Sequence, residues 1–262
     1  MQAVAVAQFA PGPERDANLA AMRSLATTAV ARGATLVVFP EYSSYFTPEM
    51  GPDWIAAAEA LDGVFVHGLA SIASDLAITV VAGLLEVAGE KAHNTVVAVA
   101  PNGELLATYR KQHLYDAFGS VESEWIAHGP LGAFETFGWQ GFTVGMQTCY
   151  DIRFPEVSRA LVDAGADLLV VPAEWVRGPL KELHWRTLLT ARAIENTVYV
   201  AAADHAPPIG VGNSMVLDPM GVELVTIGEN SDVAVAFPTR ERLADVRRIN
   251  PALTLRRYRV SA

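Results

Sequence analysis

The stretch GATLVVFPE, residues 33–41, decides the fold, because a close copy of it, GADLLVVPAE, occupies residues 165–174. In both copies a Gly-Ala pair leads into a run of apolar residues that stops at a proline. Each copy also follows a segment whose apolar residues recur at helical spacing. The repeated unit is therefore a helix, a tight turn, a buried strand and a proline stop. The repeat predicts two related α/β halves packed as one domain.

Helix and strand patterns alternate on both sides of each copy. A Pro101-Asn102-Gly103 turn predicts a hairpin, and Pro155 predicts the start of a helix that Gly165 ends. The opening run VAVAQFAP is interpreted as a first strand, not a signal peptide. Many strands with hairpins predict mixed sheets covered by helices. Further strand-like runs occupy residues 76–85, 94–100, 104–110, 142–148, 196–203, 213–218 and 232–238.

Composition excludes several functional classes. The chain has 262 residues, of which 51% are hydrophobic, and a formal charge of −10, which argues against nucleic acid as a partner. The apolar runs are too short to span a membrane. One cysteine allows no internal disulfide, so a cytoplasmic location is expected. A basic cluster near the C-terminus predicts a solvated or subunit-contacting tail: Arg247, Arg248, Arg256, Arg257 and Arg259.

Three reactive side chains follow strand-like runs. Glu41 comes directly after Pro40, Lys111 follows the run 104–110, and Cys149 follows the run 142–148. Strand ends are where α/β folds place reactive groups, so the three could share a cleft. A thiol nucleophile needs a base and an oxyanion stabiliser, and the histidines show neither papain-like nor metal-ligand spacing. The alternative for a single cysteine is a small buried hydrophobic residue.

In these stretches the sequence resembles the nitrilase superfamily, the carbon–nitrogen hydrolases. VVFPEY around Glu41, YRKQHLY around Lys111 and CYDIRFPE from Cys149 match the glutamate, lysine and cysteine motifs of the family in order. The resemblance implies a four-layer α-β-β-α sandwich that forms homodimers or higher homo-oligomers, with no metal and no organic cofactor. It implies a nitrilase-like domain over residues 1–240 and a subunit-contacting tail over residues 241–262.

The resemblance also implies residue roles. Cys149 would be the nucleophile, Glu41 the base, and Lys111 with the Tyr150 backbone N–H the oxyanion stabilisers. A lysine cation beside the thiol would favour the thiolate. The family often has a second glutamate after the lysine motif, and Glu122 in VES fits better than Glu124. Substrate-pocket candidates, each with core packing as its alternative, are Tyr42, Tyr45, Tyr115, Phe118, Trp175 and His205.

CYD after the strand, instead of CWE, resembles the amidase-like branches. The expected reaction converts a small carboxamide to an acid and ammonia through a thioester. Alternatives are a nitrilase, an N-carbamoyl amide hydrolase, an enzyme like omega-amidase or deaminated glutathione amidase, and a non-catalytic scaffold. Glu174 in PAEW departs from many relatives. If it faces the pocket, an acid there disfavours a substrate carboxylate and argues against the omega-amidase and N-carbamoyl amino acid alternatives. If Glu174 faces solvent, it says nothing about the substrate.

Overall fold

The computed structural model describes residues 2–132 and 134–260. Of the predicted segments 1–240 and 241–262, four residues lie outside the described residues: Met1, Ala133, Ser261 and Ala262. The described residues form two sheets whose outer faces are covered by helices.

The first sheet has the order β13-β1-β2-β3-β4-β5, with β6 beside β4. Strands β1, β2 and β3 are parallel, β13 is antiparallel to β1, and β4 is antiparallel to β3 and β5 but parallel to β6. The Pro101-Asn102-Gly103 turn joins β4 to β5, which confirms the predicted hairpin. Its strands are β1 Val4–Gln8, β2 Leu36–Val38, β3 Thr79–Ala88, β4 Lys91–Val99, β5 Leu105–Arg110, β6 Ile126–Ala127 and β13 Asp232–Ala236.

The second sheet has the order β12-β11-β10-β9-β8-β7. Strands β8, β9 and β10 are parallel, while β7, β11 and β12 are antiparallel to their neighbours. It repeats the first sheet strand by strand, with three parallel strands followed by two antiparallel ones. Its strands are β7 Thr136–Trp139, β8 Phe142–Met146, β9 Leu168–Ala173, β10 Tyr199–Asp204, β11 Met215–Leu217 and β12 Glu223–Thr226.

The helices also repeat between the halves. Helix α1 connects β1 to β2 as α4 connects β8 to β9, and α3 precedes β3 as α5 precedes β10. Strands β2 and β9, the two copies of the repeated stretch, hold equivalent places. The helices are α1 Arg15–Ala31, α2 Pro52–Ala56, α3 Val64–Leu76, α4 Pro155–Asp163, α5 Lys181–Asn196, α6 Arg240–Ile249 and α7 Ala252–Leu255, with short 3₁₀ helices at Glu122–Glu124 and Cys149–Arg153.

Side-chain alternation along the middle strands produces four layers. In β2, Leu36 and Val38 belong to the apolar core between the two sheets, whereas Val37 packs with the helices α1 and α3. In β9, Leu168 faces the core between the sheets and Leu169 packs under α4 and α5. Strands buried on both faces are apolar throughout, which explains the unbroken runs in the repeat. The predicted α-β-β-α sandwich with two related halves is confirmed.

The sequence patterns missed three short strands, β6, β7 and β12. Strand β6 has two residues, β7 contains Gly138, and β12 is an edge strand whose residues are mostly exposed. Such strands lack the apolar run on which the other predictions depended. The predicted run 76–85 begins too early, because α3 continues to Leu76 and ends with Ala77 in the left-handed conformation.

Candidate active site

The ends of β2, β5 and β8 converge on one cavity of about 590 Å³. Glu41, Lys111 and Cys149 follow these three strands and all line the cavity, together with Glu122. All four side chains are buried, with at most 5% of their surface exposed. The three motifs, which lie more than 100 residues apart from first to last, therefore meet at one place.

Lys111 lies between two glutamates. Its Nζ donates to Glu41 Oε1 at 2.8 Å and to Glu122 Oε2 at 2.9 Å. Burial alone would lower the pKa of Lys111, but the Glu122 and Glu41 carboxylates outweigh it and raise that pKa well above its ordinary value. Asn94 Nδ2, from β4, donates to Glu41 Oε1 at 2.5 Å and to Glu122 Oε1 at 3.2 Å. The network is therefore a fixed ammonium shared by two fixed carboxylates.

The second glutamate at Lys111 is Glu122, while Glu124 is exposed at the rim of the cavity. Glu122 also accepts a hydrogen bond from Tyr42 OH at 2.5 Å and from the Tyr115 backbone N–H at 2.5 Å. Burial would raise the pKa of Glu122, but Lys111 and the hydrogen bond from Tyr42 hold it below its ordinary value. Glu122 is thus an anion that fixes the ammonium of Lys111 in place.

Cys149 opens a 3₁₀ helix directly after β8 and adopts a left-handed backbone conformation, with φ of +42°. Such strained backbone conformations cluster at functional sites, and they persist only where surrounding contacts hold them. Here Asp151 provides those contacts: its carboxylate accepts from the Thr148 N–H at 3.1 Å, from Tyr109 OH at 2.8 Å and from the His113 N–H at 3.0 Å. Asp151 therefore ties the turn that carries Cys149 to residues on both sides of Lys111.

The thiol of Cys149 is protonated in this environment. Burial and the Glu41 carboxylate raise the pKa of Cys149 well above its ordinary value, and the opposite influence of Lys111 is smaller. The reason is that the Lys111 charge is already offset by two carboxylates. The Sγ–H donates to the Glu174 carbonyl oxygen at 3.5 Å. Lys111 favours the thiolate, as expected from the sequence, but in the resting state its influence is outweighed.

The other predicted pocket residues separate into two groups. Tyr42, Tyr115, Tyr150 and Trp175 line the cavity with Cys149, whereas Tyr45, Phe118 and His205 do not. Tyr150 is the second residue of the 3₁₀ helix, so its N–H belongs to the first turn, where donors lack partners within the helix.

The three residues outside the cavity support it from different sides. Tyr45 OH donates to Asp53 at 2.5 Å, and Phe118, although exposed, stacks on Tyr115 of the cavity wall with the ring centres 6.0 Å apart. His205 is buried behind Glu41, with its Nε2 2.7 Å from the Glu41 carbonyl oxygen. Burial lowers the pKa of His205 to about 4, so this ring is neutral and donates the Nε2 proton to that carbonyl.

Sequence reasoning missed two cations in the cavity wall, Arg153 and Lys181. The Arg153 guanidinium lies 4.7 Å from the centre of the Trp175 ring, and Lys181 Nζ lies 3.8 Å from the centre of the Phe118 ring. Within residues 2–132 and 134–260, neither cation pairs with a carboxylate. Burial and the like charge of Arg153 lower the pKa of Lys181. Arg153 lies inside the cysteine motif CYDIRFPE, so its position near Cys149 could have been predicted from the sequence. Lys181 lies in none of the three motifs, and no pattern around it indicated a cavity residue.

Gly83 in β3 offers a test of how Glu41 is positioned. A Cβ at this residue would lie 2.8 Å from both Glu41 Cα and Tyr42 N, so the backbone at Glu41 would have to move. We expect Gly83→Ala to lower kcat by about tenfold or more, since small misplacements of catalytic groups cost up to about 10². Crowding should also lower the free energy of unfolding by about 1–3 kcal/mol.

The matched control is Gly138→Ala in β7, where a Cβ would have no heavy atom within 4 Å. Steady-state kinetics and thermal unfolding of both variants check this prediction. If Gly83→Ala keeps the kcat of the parent, the close contact between the β3 backbone and the backbone of Glu41 does not position Glu41.

The described residues contain neither a membrane-spanning helix nor a metal-binding cluster. No helix in residues 2–132 and 134–260 is long and apolar enough to span a membrane. Across the same part of the chain, no group of three or more His, Cys, Asp or Glu side chains is arranged to hold a metal ion.

The four-layer sandwich is the fold of solved structures from the nitrilase superfamily. The model of the family described as carbon-nitrogen hydrolase matches residues 3–248, and the chain belongs to this family. It is 36% identical over 260 residues to the deaminated glutathione amidase of Escherichia coli O157:H7, covering 97% of each chain. It is 33% identical over 255 residues to the omega-amidase NIT2 of Mus musculus, covering 92% of this chain and 89% of that one.

A solved structure supports the same assignment. The crystal structure of an amidase from Nesterenkonia sp. is similar to this chain with a TM-score of 0.81 and 28% identity, covering 97% of this chain and 96% of that one. The family match and these relatives together make the chain an amidase-like carbon–nitrogen hydrolase.

Proposed function

We propose that this protein hydrolyses the amide bond of a small carboxylate-bearing substrate, with Cys149 as the nucleophile. The observation that carries the proposal is the position of Lys111 between Glu41 and Glu122, in the same cavity as the only cysteine of the chain. A nucleophile, a base and a fixed cation are the groups that acyl transfer through a thioester needs.

The reaction begins with a neutral thiol and an ionised Glu41. Glu41 takes the Sγ proton as the sulfur attacks the amide carbon, so that a C–S bond forms and the carbonyl electron pair moves onto oxygen. Lys111 and the Tyr150 N–H stabilise this oxyanion. The C–N bond then breaks, and Glu41 returns the proton to the leaving nitrogen. Water attacks the thioester with Glu41 again as base, which releases the acid and restores the thiol.

The contacts of Lys111 with Glu41 and Glu122 explain why Lys111 stabilises the oxyanion more strongly than it stabilises the bound substrate. In the resting state Lys111 is offset by two carboxylates, Glu41 and Glu122. Once Glu41 has taken the thiol proton, only Glu122 offsets the ammonium, so the positive potential at the cavity rises. An interaction that becomes stronger in the transition state lowers the barrier, whereas one present equally in the ground state does not.

The proposed substrate class follows from Arg153 and Lys181. Lys181 is buried and Arg153 is half-buried, and neither pairs with a carboxylate among the described residues, so a substrate carboxylate would supply the missing partner. The relatives described as omega-amidase and deaminated glutathione amidase fit this choice. In the sequence analysis, an acid at Glu174 disfavoured a substrate that carries a carboxylate. That argument assumed an ionised side chain, but burial and the Glu41 carboxylate raise the pKa of Glu174 well above its ordinary value, which weakens its repulsion of an anion.

A substrate panel tests this function. We expect acid release from amides that carry a carboxylate at the other end, such as succinamate, at a higher kcat/KM than from a neutral amide of similar length such as butyramide. A nitrile, a carbamoyl amino acid and an aromatic amide complete the panel. The product acid and ammonia are measured together. Release from none of the panel would support a non-catalytic scaffold instead, and preference for the nitrile would support a nitrilase.

Arg153→Gln tests the carboxylate contact by itself. Loss of a charge-assisted hydrogen bond costs about 1.5–3 kcal/mol, so KM for succinamate should rise by about tenfold to a hundredfold. KM for butyramide should change much less, because that substrate has no carboxylate. Arg177→Gln is the matched control, since this exposed arginine pairs with Glu229 at 2.9 Å outside the cavity. Equal losses on both substrates would assign Arg153 a structural role and refute the carboxylate contact.

A further inference from the structure

Glu174 lines the cavity beside Glu41 and Cys149, although the mechanism above does not use its side chain. Its backbone N–H donates to Glu41 Oε2 at 2.6 Å, and its carbonyl oxygen accepts from Cys149 Sγ at 3.5 Å. The next residue is fixed as well, because the Trp175 N–H donates to Asp204 Oδ1 at 2.6 Å. The backbone of Glu174 is therefore held between the proposed base and the proposed nucleophile, and the residue is part of the cavity wall.

Among the described residues, the Glu174 carboxyl has no compensating partner. Its Oε1 is inaccessible to solvent and, in the described part of the chain, has no hydrogen-bond partner. Lys111 is engaged by Glu41 and Glu122, and no cation forms an ion pair with Glu174 in residues 2–132 and 134–260. An ionised carboxylate here would be a buried charge beside the Glu41 carboxylate, an arrangement that proteins avoid by protonating one of the two acids.

We infer that Glu174 is protonated in the resting enzyme and that its carboxylic acid donates a hydrogen bond to an acceptor oxygen of the substrate's acyl group. This inference rests on the proposed function for the identity of its substrate. It makes Glu174 a specificity-determining residue. A substrate whose acyl group presents an acceptor oxygen gains a hydrogen bond, whereas a purely aliphatic acyl group leaves the O–H of Glu174 unpaired.

The proton on Glu174 also decides the charge that a substrate meets. If Glu174 is neutral, Arg153 and Lys181 remain available to a substrate carboxylate. If it were ionised, its negative charge would offset one of these two cations. The ionisable groups near Glu174 are Glu41, Glu122, Lys111, Lys181, Cys149, Asp204, Tyr42 and Tyr115.

Alkylation of Cys149 measures this charge without any turnover. Iodoacetate is an anion and iodoacetamide is its neutral analogue, and both label the single cysteine of the chain. The rate constant for iodoacetate divided by the rate constant for iodoacetamide therefore reports the charge in the cavity. At pH 6.5 we expect Glu174→Gln to leave this ratio within about twofold of the parent, because one neutral group replaces another. Removal of an ionised carboxylate would raise it by about tenfold.

A rise of the ratio by more than about twofold in Glu174→Gln would overturn the inference. Infrared difference spectra of the parent against Glu174→Gln provide a second measurement. They should show the C=O band of a protonated carboxylic acid in the parent, and carboxylate bands in its place would equally refute a protonated Glu174. Both readouts remain valid if no amide is hydrolysed, so failure of the proposed function and failure of this inference are distinguishable.

Kinetics test the hydrogen bond to the substrate. We expect Glu174→Ala to lower kcat/KM by about tenfold for an acyl group that bears an acceptor oxygen, such as 2-oxoglutaramate. Glu174→Gln keeps a donor and should recover most of this loss. For butyramide, the difference between the two variants should be small. If alanine and glutamine reduce kcat/KM equally on 2-oxoglutaramate, Glu174 does not donate to the substrate.

Discussion

Replacement of Cys149 with alanine is expected to abolish turnover and to leave the fold intact. The expected loss in kcat is about 10⁴-fold or more, the size seen when a nucleophile is removed from a covalent mechanism. The fold should survive because alanine differs from cysteine by one buried sulfur atom, and its loss costs about 1 kcal/mol. Acid release from succinamate and thermal unfolding measure the two halves of the prediction.

A trapping experiment provides the positive control for this variant. A slowly hydrolysed substrate should leave an acyl group on the parent enzyme, and mass spectrometry should locate it on the peptide that contains Cys149. Cys149→Ser should be nearly inactive as well, because a hydroxyl is much less acidic than a thiol. Acid release by Cys149→Ala near the rate of the parent would show that Glu41 activates water directly and that no thioester forms.

Lys111→Met should lower kcat by at least about 10², since a positioned oxyanion donor contributes about 10²–10³ in rate. Methionine keeps most of the apolar stem and removes the charge. The structure adds a second consequence, because Lys111 is the cation that both Glu41 and Glu122 contact. Removing one partner of a buried ion pair costs about 3–5 kcal/mol, so the melting temperature should also fall.

The double variant Lys111→Met with Glu122→Gln separates these two effects. It removes one excess carboxylate, so the melting temperature should recover part of its loss while kcat stays low.

Iodoacetamide should label Cys149 more slowly at neutral pH in Lys111→Met than in the parent, because Lys111 is the group that favours the thiolate. If Lys111→Met raised only KM and left kcat unchanged, Lys111 would bind substrate and would not stabilise the oxyanion.

Some of the candidate site could be read from the sequence because it depends on local patterns. A residue that follows an apolar strand run lies at a strand end, and Glu41, Lys111 and Cys149 each do so. The network around them could not be read in this way. Asn94 lies inside β4 and looks like an ordinary strand residue, yet its amide contacts both Glu41 and Glu122. Its contribution depends on the register of the first sheet.

The sequence by itself determined the repeated α/β unit and the three strand-end residues, because strand ends and buried runs follow from the periodicity of apolar side chains. The four-layer sandwich was implied by the resemblance of the three motifs to the nitrilase superfamily. Only the tertiary structure decided which charges compensate each other. Lys111 meets Glu41 across 70 residues of chain, while Arg153 and Lys181 enter the same cavity without a carboxylate partner among the described residues. Burial and ion pairing set protonation and charge, and both are properties of the packed chain, absent from any local segment.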